Sequence, residues 1–152
     1  MLSVLIPTRN SAQDLEALFP VLVPAAVDGI VREVIAVDAG STDRTLEICE
    51  DAGAEVLTRG LVSAAKAARA DQLLILPPTM RLRRGWEEPV TAHLMRGGGR
   101  ALMAGETTGW LDRLLGRGDM AVLAPQRVVA ALEPVRDLAE LRRRVGRRLP
   151  RI

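Results

Sequence analysis

The feature that most constrains this chain is an alternation. From Leu2 to Leu76, short apolar runs take turns with stretches of helical spacing, four times over, and only a few residues join them. Leu2–Ile6 is apolar and stopped by Pro7, which predicts a buried strand. Ser11 with Asp14 three residues on has the form of a capping box. It predicts a helix over Ala12–Leu22, with Leu15, Leu18, Phe19 and Leu22 on one face and Pro20 kinking or shortening it. Val34–Val37 is a second strand, closed by Asp38 and turned by Ala39-Gly40. Ser41 or Thr42 then caps a helix to about Ala52, with Leu46 and Cys49 facing inward and Gly53 as its stop. Glu55–Leu57 is a third strand, Leu61–Ala70 an alanine-rich helix and Leu73–Leu76 a fourth strand. The last is wholly apolar, as a strand covered on both faces must be. Strand and helix in strict succession with short turns predict an α/β domain: a mostly parallel sheet flanked by helices.

In such sheets ligands bind beyond the carboxyl ends of the strands. Those ends are Pro7-Thr8-Arg9-Asn10, Asp38-Ala39-Gly40-Ser41, Arg59-Gly60 and Pro77-Pro78-Thr79, so a site is to be sought there. The second half is less regular. It offers a helix over Trp86–Met95 with Pro89 in its first turn, a break at Gly97-Gly98-Gly99, and strands at Ala101–Ala104 and Met120–Ala124. Helices are expected over Gln126–Leu132 and Val135–Val145. With no repeat or low-complexity linker, the 152 residues read as one domain.

Composition removes several functions. No run approaches the roughly 18–20 apolar residues of a membrane span, and the N-terminus lacks a basic leader, so a cytoplasmic protein is expected. One cysteine, Cys49, and one histidine, His93, exclude an internal disulfide, a cysteine zinc site and a multi-histidine metal site. Tyrosine is absent and Phe19 is the one phenylalanine, which argues against a stacking surface for single-stranded nucleic acid. The 21 cations against 19 acids are unevenly spread. Residues 141–152 hold six arginines and no acid, and without them the balance is 15 against 19, a net of −4. The basic tail reads as a solvated helix end, or as a weak peripheral contact with phosphates or a membrane surface.

The strand-end segments also resemble a known family. Val4-Leu5-Ile6-Pro7-Thr8-Arg9-Asn10 resembles the opening strand of the family-2 glycosyltransferases, with its "IPT-x-N" ending. EVIAVDAGSTDRT, from Glu33 to Thr45, is similar to that family's "EIIVVDDGSTDGT". Gly53–Leu57, then Ala67–Asp71 with Leu73–Leu76, then Arg81-Leu82 and Gly85-Trp86 continue the likeness in order through residue 90. The resemblance implies a GT-A fold, a Rossmann-like three-layer sandwich. Residues 1–90 would be its nucleotide-binding half, and 91–152 a reduced acceptor-side half with a basic C-terminal helix. It also implies roles. Asp38 stands where the family contacts the nucleotide base, and a carboxylate can accept from a uracil imide N–H. Pro7, Thr8 and Arg9 would form the other wall, with Gly40 in the turn and Arg59 facing the diphosphate of a UDP-type ligand. Each has a plainer reading too. Asp38 can close an Asx-turn, Asp43 can be a first-turn acid at a helix dipole, and Arg9 a solvated turn residue. Cys49 reads as a buried small hydrophobe, His93 as a helix-surface residue, and Trp86 and Trp110 as packing residues.

Four family elements differ here. The Asp-x-Asp motif that holds a divalent metal after the fourth strand reads Pro77-Pro78-Thr79-Met80, so no metal cofactor is expected. The catalytic "ED-x-D-L" segment is matched only at Asp137-Leu138; its Glu-Asp pair falls on Pro134 and Val135, leaving Glu133, one position off, as the candidate acid. Gly118-Asp119-Met120 stands for the acceptor-side "GDQ", and Val62-Ser63-Ala64 for the usual Asn-x-Gly. The expectation is a nucleotide-sugar-binding pseudoenzyme. The alternatives are a metal-independent transferase using Arg81, Arg83 and Arg84 on the leaving diphosphate, or a protein-interaction module without a ligand. Leu111, Leu114 and Leu115 read as a homo-oligomer surface or as core.

Overall fold

The computed structural model describes residues 1–106, 118–132, 135–145 and 149–152. Its strands are β1 (Leu2–Thr8), β2 (Val31–Asp38), β3 (Glu55–Leu57), β4 (Gln72–Ile75), β5 (Ala101–Ala104) and β6 (Met120–Pro125). Its helices are α1 (Ala12–Val27), α2 (Thr45–Asp51), α3 (Leu61–Ala67), α4 (Glu87–Met95), α5 (Gln126–Ala130) and α6 (Leu138–Val145). The six strands form one sheet in the order β3-β2-β1-β4-β6-β5. β1 to β4 are mutually parallel, and β6 runs antiparallel to both β4 and β5. Strands from both halves of the chain therefore share one sheet. The winding reverses at β1, with β2 on one side and β4 on the other, which opens a crevice beyond the strand ends.

Side chains alternate across the sheet, and each face has its own core. Val4 and Ile6 of β1, with Leu74 of β4, pack with Leu15, Leu18, Phe19 and Leu22 of α1, Cys49 of α2 and Val90 of α4. Leu5, Leu73 and Ile75 pack on the other face with Ala64 and Ala65 of α3, Val129 of α5 and Leu141 and Val145 of α6. That makes three layers, helices on sheet on helices. Leu73, Leu74 and Ile75 are fully buried, as a strand covered on both faces requires. Trp86 is buried in the first of these cores, as a packing residue should be. No described helix is long and apolar enough to cross a membrane.

Several local expectations are corrected. α1 passes through Pro20 and Pro24 to Val27. Both prolines are exposed, so the carbonyls they leave unbonded face water, while Leu18, Phe19, Leu22 and Ala25 keep the helix on the sheet. Ser11 sits at the N-cap of α1 but makes no side-chain capping bond. Its hydroxyl lies 3.2 Å from the Arg9 carbonyl oxygen instead, and Asp14 pairs with Arg81 at 3.1 Å. Leu46 is 42% exposed, because α2 starts only at Thr45 and turns Thr45, Ile48 and Cys49 inward. α3 stops at Ala67, three residues early. The next amides are needed elsewhere: Arg69 N–H donates to Glu33 Oε1 at 2.6 Å and Ala70 N–H to the buried Ser3 hydroxyl at 3.2 Å. His93 is partly buried; its Nε2 lies 3.0 Å from the Gly99 amide and ties the end of α4 to the glycine loop. Past α6, Ile152 N–H donates to Leu102 O at 3.0 Å, so the chain end runs along β5. Trp110, Leu111, Leu114 and Leu115 lie outside the described residues.

Cys49 is fully buried, and burial, with the Asp38 charge adding to it, pushes its thiol up to about 11. We expect a disulfide reagent at pH 8 to leave Cys49 untouched in the native protein and to titrate one thiol in urea, because the thiolate is the reactive form. Rapid labelling of the folded chain would contradict this packing.

Candidate functional site: a cleft at the strand ends

The first two strand-end loops are sewn together by side chains about thirty residues apart. Asn10 takes a left-handed conformation, φ 50°, which asparagine tolerates better than most residues. Its N–H donates to Ser41 Oγ at 2.9 Å, and its Oδ1 accepts from Thr42 N–H at 2.8 Å. Ser11 N–H donates to Thr45 Oγ1 at 2.8 Å. Asp43 accepts from Thr45 N–H with Oδ1 at 3.0 Å and from Ala12 N–H with Oδ2 at 3.2 Å. One carboxylate thus caps α2 and satisfies an orphan donor at the start of α1. Neither Ser41 nor Thr42 is the cap; their hydrogen bonds go to Asp38 and Asn10. The Thr45 hydroxyl, aided by the Thr45 and Ala12 amides, holds the Asp43 carboxyl below its ordinary value against the opposing effect of desolvation.

Asp38 sits between these loops at 5% exposure. Its Oδ2 accepts from Gly40 N–H at 2.9 Å and Ser41 N–H at 3.0 Å. Its Oδ1 accepts from the Ser41 hydroxyl at 2.5 Å and the Thr8 hydroxyl at 3.3 Å. Burial pushes this carboxyl upward, but the Ser41 hydroxyl, the Ser41 and Gly40 amides and the Thr8 hydroxyl outweigh it, and it rests below the ordinary value. Gly40 has φ 90°, which a side chain would strain, and it presents its N–H to Asp38. Asp38 therefore closes an Asx-type turn, and in the same place forms part of a cleft wall.

The cleft has a volume of about 430 Å³. Pro7, Thr8, Arg9, Asp38, Thr58, Gly60 and Pro78 line it from the strand ends, and Arg136, Asp137 and Leu138 close it from the far end of the chain. Of the residues expected from the sequence, Pro7, Thr8, Arg9 and Asp38 meet here. Gly40 and Arg59 do not line the cleft; Gly40 belongs to the Asp38 turn, and Arg59 is exposed between two lining residues, Thr58 and Gly60. The contribution of Arg136 had no signal in the sequence beyond the neighbouring Asp137-Leu138 match. Asp137 caps α6 by accepting Glu140 N–H at 2.7 Å, and Glu140 accepts Arg136 N–H at 2.9 Å.

The arginines after β4 lie elsewhere. Arg81 is held by Asp14 at 3.1 Å and by the Thr79 carbonyl at 3.2 Å. Arg84 and Arg83 line a separate hollow with Trp86, Met103 and Ile152. The β4 exit does receive a carboxylate, though from far along the chain: Thr79 Oγ1 donates to Asp119 Oδ2 at 2.7 Å. Among the described residues no group of three or more histidine, cysteine or acidic side chains is placed to hold a metal ion. Glu133 lies outside the described residues.

Comparison with known proteins agrees with this architecture. Residues 3–75 match the family model described as glycosyl transferase family 2. No curated protein sequence matches the chain. Among solved structures it is similar to glucosyl-3-phosphoglycerate synthase from Mycobacterium tuberculosis in complex with Mn2+, UDP and glucosyl-3-phosphoglycerate, with a TM-score of 0.61 and 22% identity. That likeness covers 84% of this chain and 57% of the synthase. It is also similar to S. aureus TarS 1-349 in complex with UDP, with a TM-score of 0.57 and 21% identity over 71% of this chain and 36% of that one. The chain thus spans little more than half of the first protein and about a third of the second. Identities this low speak for the fold alone, and the fold they share is GT-A. The sequence match, which runs through the β1–β4 half, makes that half similar to glycosyl transferase family 2.

Proposed function

We propose that this chain is a nucleotide-sugar-binding scaffold, one that takes a uridine-type nucleotide into the Asp38 cleft without metal-dependent sugar transfer. The observation that carries the reading is the cleft itself. It is open, lies at the switch point of the sheet, and has a volume within the range of small-molecule sites. A filled crevice would have favoured a purely structural module. Asp38 offers a base N–H the acceptor position now used least well, the one facing Thr8 at 3.3 Å. Two proteins of the same fold have been crystallised with UDP, which supports the choice of ligand.

The donor set argues for a metal-free site. A hard divalent cation takes about six oxygen ligands, and beside a nucleotide it needs one or two free protein carboxylates in addition to phosphate and water oxygens. At the β4 exit the described chain offers Pro77 and Pro78, which have no side-chain ligand, and Thr79 and Asp119, already bonded to each other. These residues do not fit the metal that the Mn2+ complex of the synthase contains. A transferase that replaces the metal with Arg81 and Arg84 is the weaker reading, because Asp14 already pairs with Arg81 and Arg84 faces another hollow.

Calorimetry with uridine and guanosine diphosphates and their sugars, with and without Mn2+, tests the proposal. UDP or a UDP-sugar is expected to bind, and Mn2+ to leave its affinity unchanged. Turnover of a sugar nucleotide would overturn the inactive reading, and the absence of heat with every nucleotide would overturn the binding reading.

A further inference from the structure

We propose that Arg136, with Arg9 opposite it, is the anion grip of the cleft and holds the diphosphate of the bound nucleotide in place of a metal ion. The inference rests on the nucleotide reading above and adds a specific chemical role to it. Both arginines line the same cleft as Asp38, Arg9 from the β1–α1 loop and Arg136 from the segment leading into α6. Neither guanidinium forms an ion pair with a described residue, whereas Arg44, Arg69, Arg81 and Arg144 each do.

The acids nearby already accept hydrogen bonds. Asp38 is engaged by the donors of its own turn, which leaves the position facing Thr8 for a base N–H, and Asp137 Oδ1 accepts from the Glu140 amide. The cleft lining carries two cations, Arg9 and Arg136, beside the carboxylates Asp38 and Asp137, and Arg136 also lies in the field of Glu140. The root of Arg136 is also anchored. Its N–H donates to Glu140 Oε2 at 2.9 Å, and Glu140 is held in turn by Arg144 at 2.6 Å. A planar guanidinium fork donates in pairs to phosphate oxygens and forms the stronger, charge-assisted kind of hydrogen bond. Where the metal ligands are missing, this is the side chain chemically able to balance a diphosphate. It comes from the C-terminal segment, so nucleotide binding would bridge α6 and the β1–α1 loop.

The test compares uridine, UMP and UDP by calorimetry in EDTA, using the full chain. The natural protein is expected to bind UDP more tightly than UMP, and UMP more tightly than uridine. Arg136→Gln should weaken UDP binding by about tenfold and leave uridine binding unchanged, and Arg136→Lys should restore part of the loss. Arg127→Gln, which removes the same charge from the exposed surface of α5, should leave UDP binding unaltered. UDP bound equally well by Arg136→Gln would overturn the grip and leave the nucleotide reading intact. An equal loss in Arg127→Gln would overturn it too, by showing only the effect of overall charge. If the natural protein binds none of the three ligands, the nucleotide reading fails and the grip fails with it. Matched thermal melts show that each variant is folded.

Discussion

Asp38→Ala is expected to destabilise the fold by about 2–4 kcal/mol and to abolish nucleotide binding in the same step. The alanine would remove the shared acceptor of two amide donors, from Gly40 and Ser41, and of two hydroxyls, from Ser41 and the buried Thr8. Unsatisfied donors of this kind cost more than the bonds themselves contributed. Without this anchor the β2–α2 turn loses its hold on Thr8, and the two loops that shape the cleft drift relative to each other. Chemical denaturation gives the first number and UDP calorimetry the second. A variant as stable as the natural protein would show that the turn stands without its carboxylate.

The same carboxylate makes stability depend on pH with a defined sign. Its folded-state value lies below the ordinary 3.8, so the folded state favours the ionised form. Its contribution is complete above 3.8 and is lost as pH falls below 3.8 through the lowered folded value. The stability gap between the natural protein and Asp38→Asn should therefore stay constant from neutral pH down to the ordinary value and narrow below it. Urea midpoints read this directly. A gap that does not change in acid would mean that the carboxylate is not ionised in its turn.

The second large effect lies directly under the cleft. Leu5→Ala should cost about 3–5 kcal/mol, a sizeable share of the roughly 5–15 kcal/mol that holds an ordinary domain together. Leu5 is fully buried in the central strand, paired in register with Ile35 on one side and Ile75 on the other. It is packed among Val37, Leu61 and Ala64, which have no freedom to collapse into the space. Leu5 does not line the cleft, so the fraction that stays folded should bind UDP with unchanged affinity. Asp38→Ala and Leu5→Ala are thus distinguishable: one removes affinity and stability, the other stability alone. Calorimetry corrected for the folded fraction separates them, and a drop in intrinsic affinity in Leu5→Ala would show that the core and the cleft are coupled.

How much of this was legible beforehand varies from residue to residue. Asp38 stood out because it ends an apolar run and precedes a turn dipeptide, and the structure places it at a strand end beside the cleft. Its four donors were not legible, because Thr8 lies thirty residues away and approaches only once β1 and β2 pair. Asp43 looked like an acid serving its own helix. Its second partner, the Ala12 amide, belongs to another helix, and no local pattern announces that contact. Leu46 faces outward because α2 starts later than a cap at Ser41 or Thr42 implies, and on a helix a few residues of delay turn the buried face elsewhere. Pro20 does not end α1, because the apolar stripe continues past it and burial along that stripe outweighs the bonds lost on the exposed side.

Local patterning sets the succession of strands and helices along the chain, the two-sided burial of β4, and the loops that end at the cleft. Those properties follow from the hydrophobic period of each segment, which is read over a handful of neighbouring residues. Which charges meet is settled by long-range packing. Arg81 went to Asp14, Asp119 came to Thr79, and Arg136 came to the cleft where Arg59 had been expected to face a ligand. Such meetings depend on strand order and on how α6 settles against the sheet. These are long-range outcomes of packing, and no stretch of sequence encodes them alone.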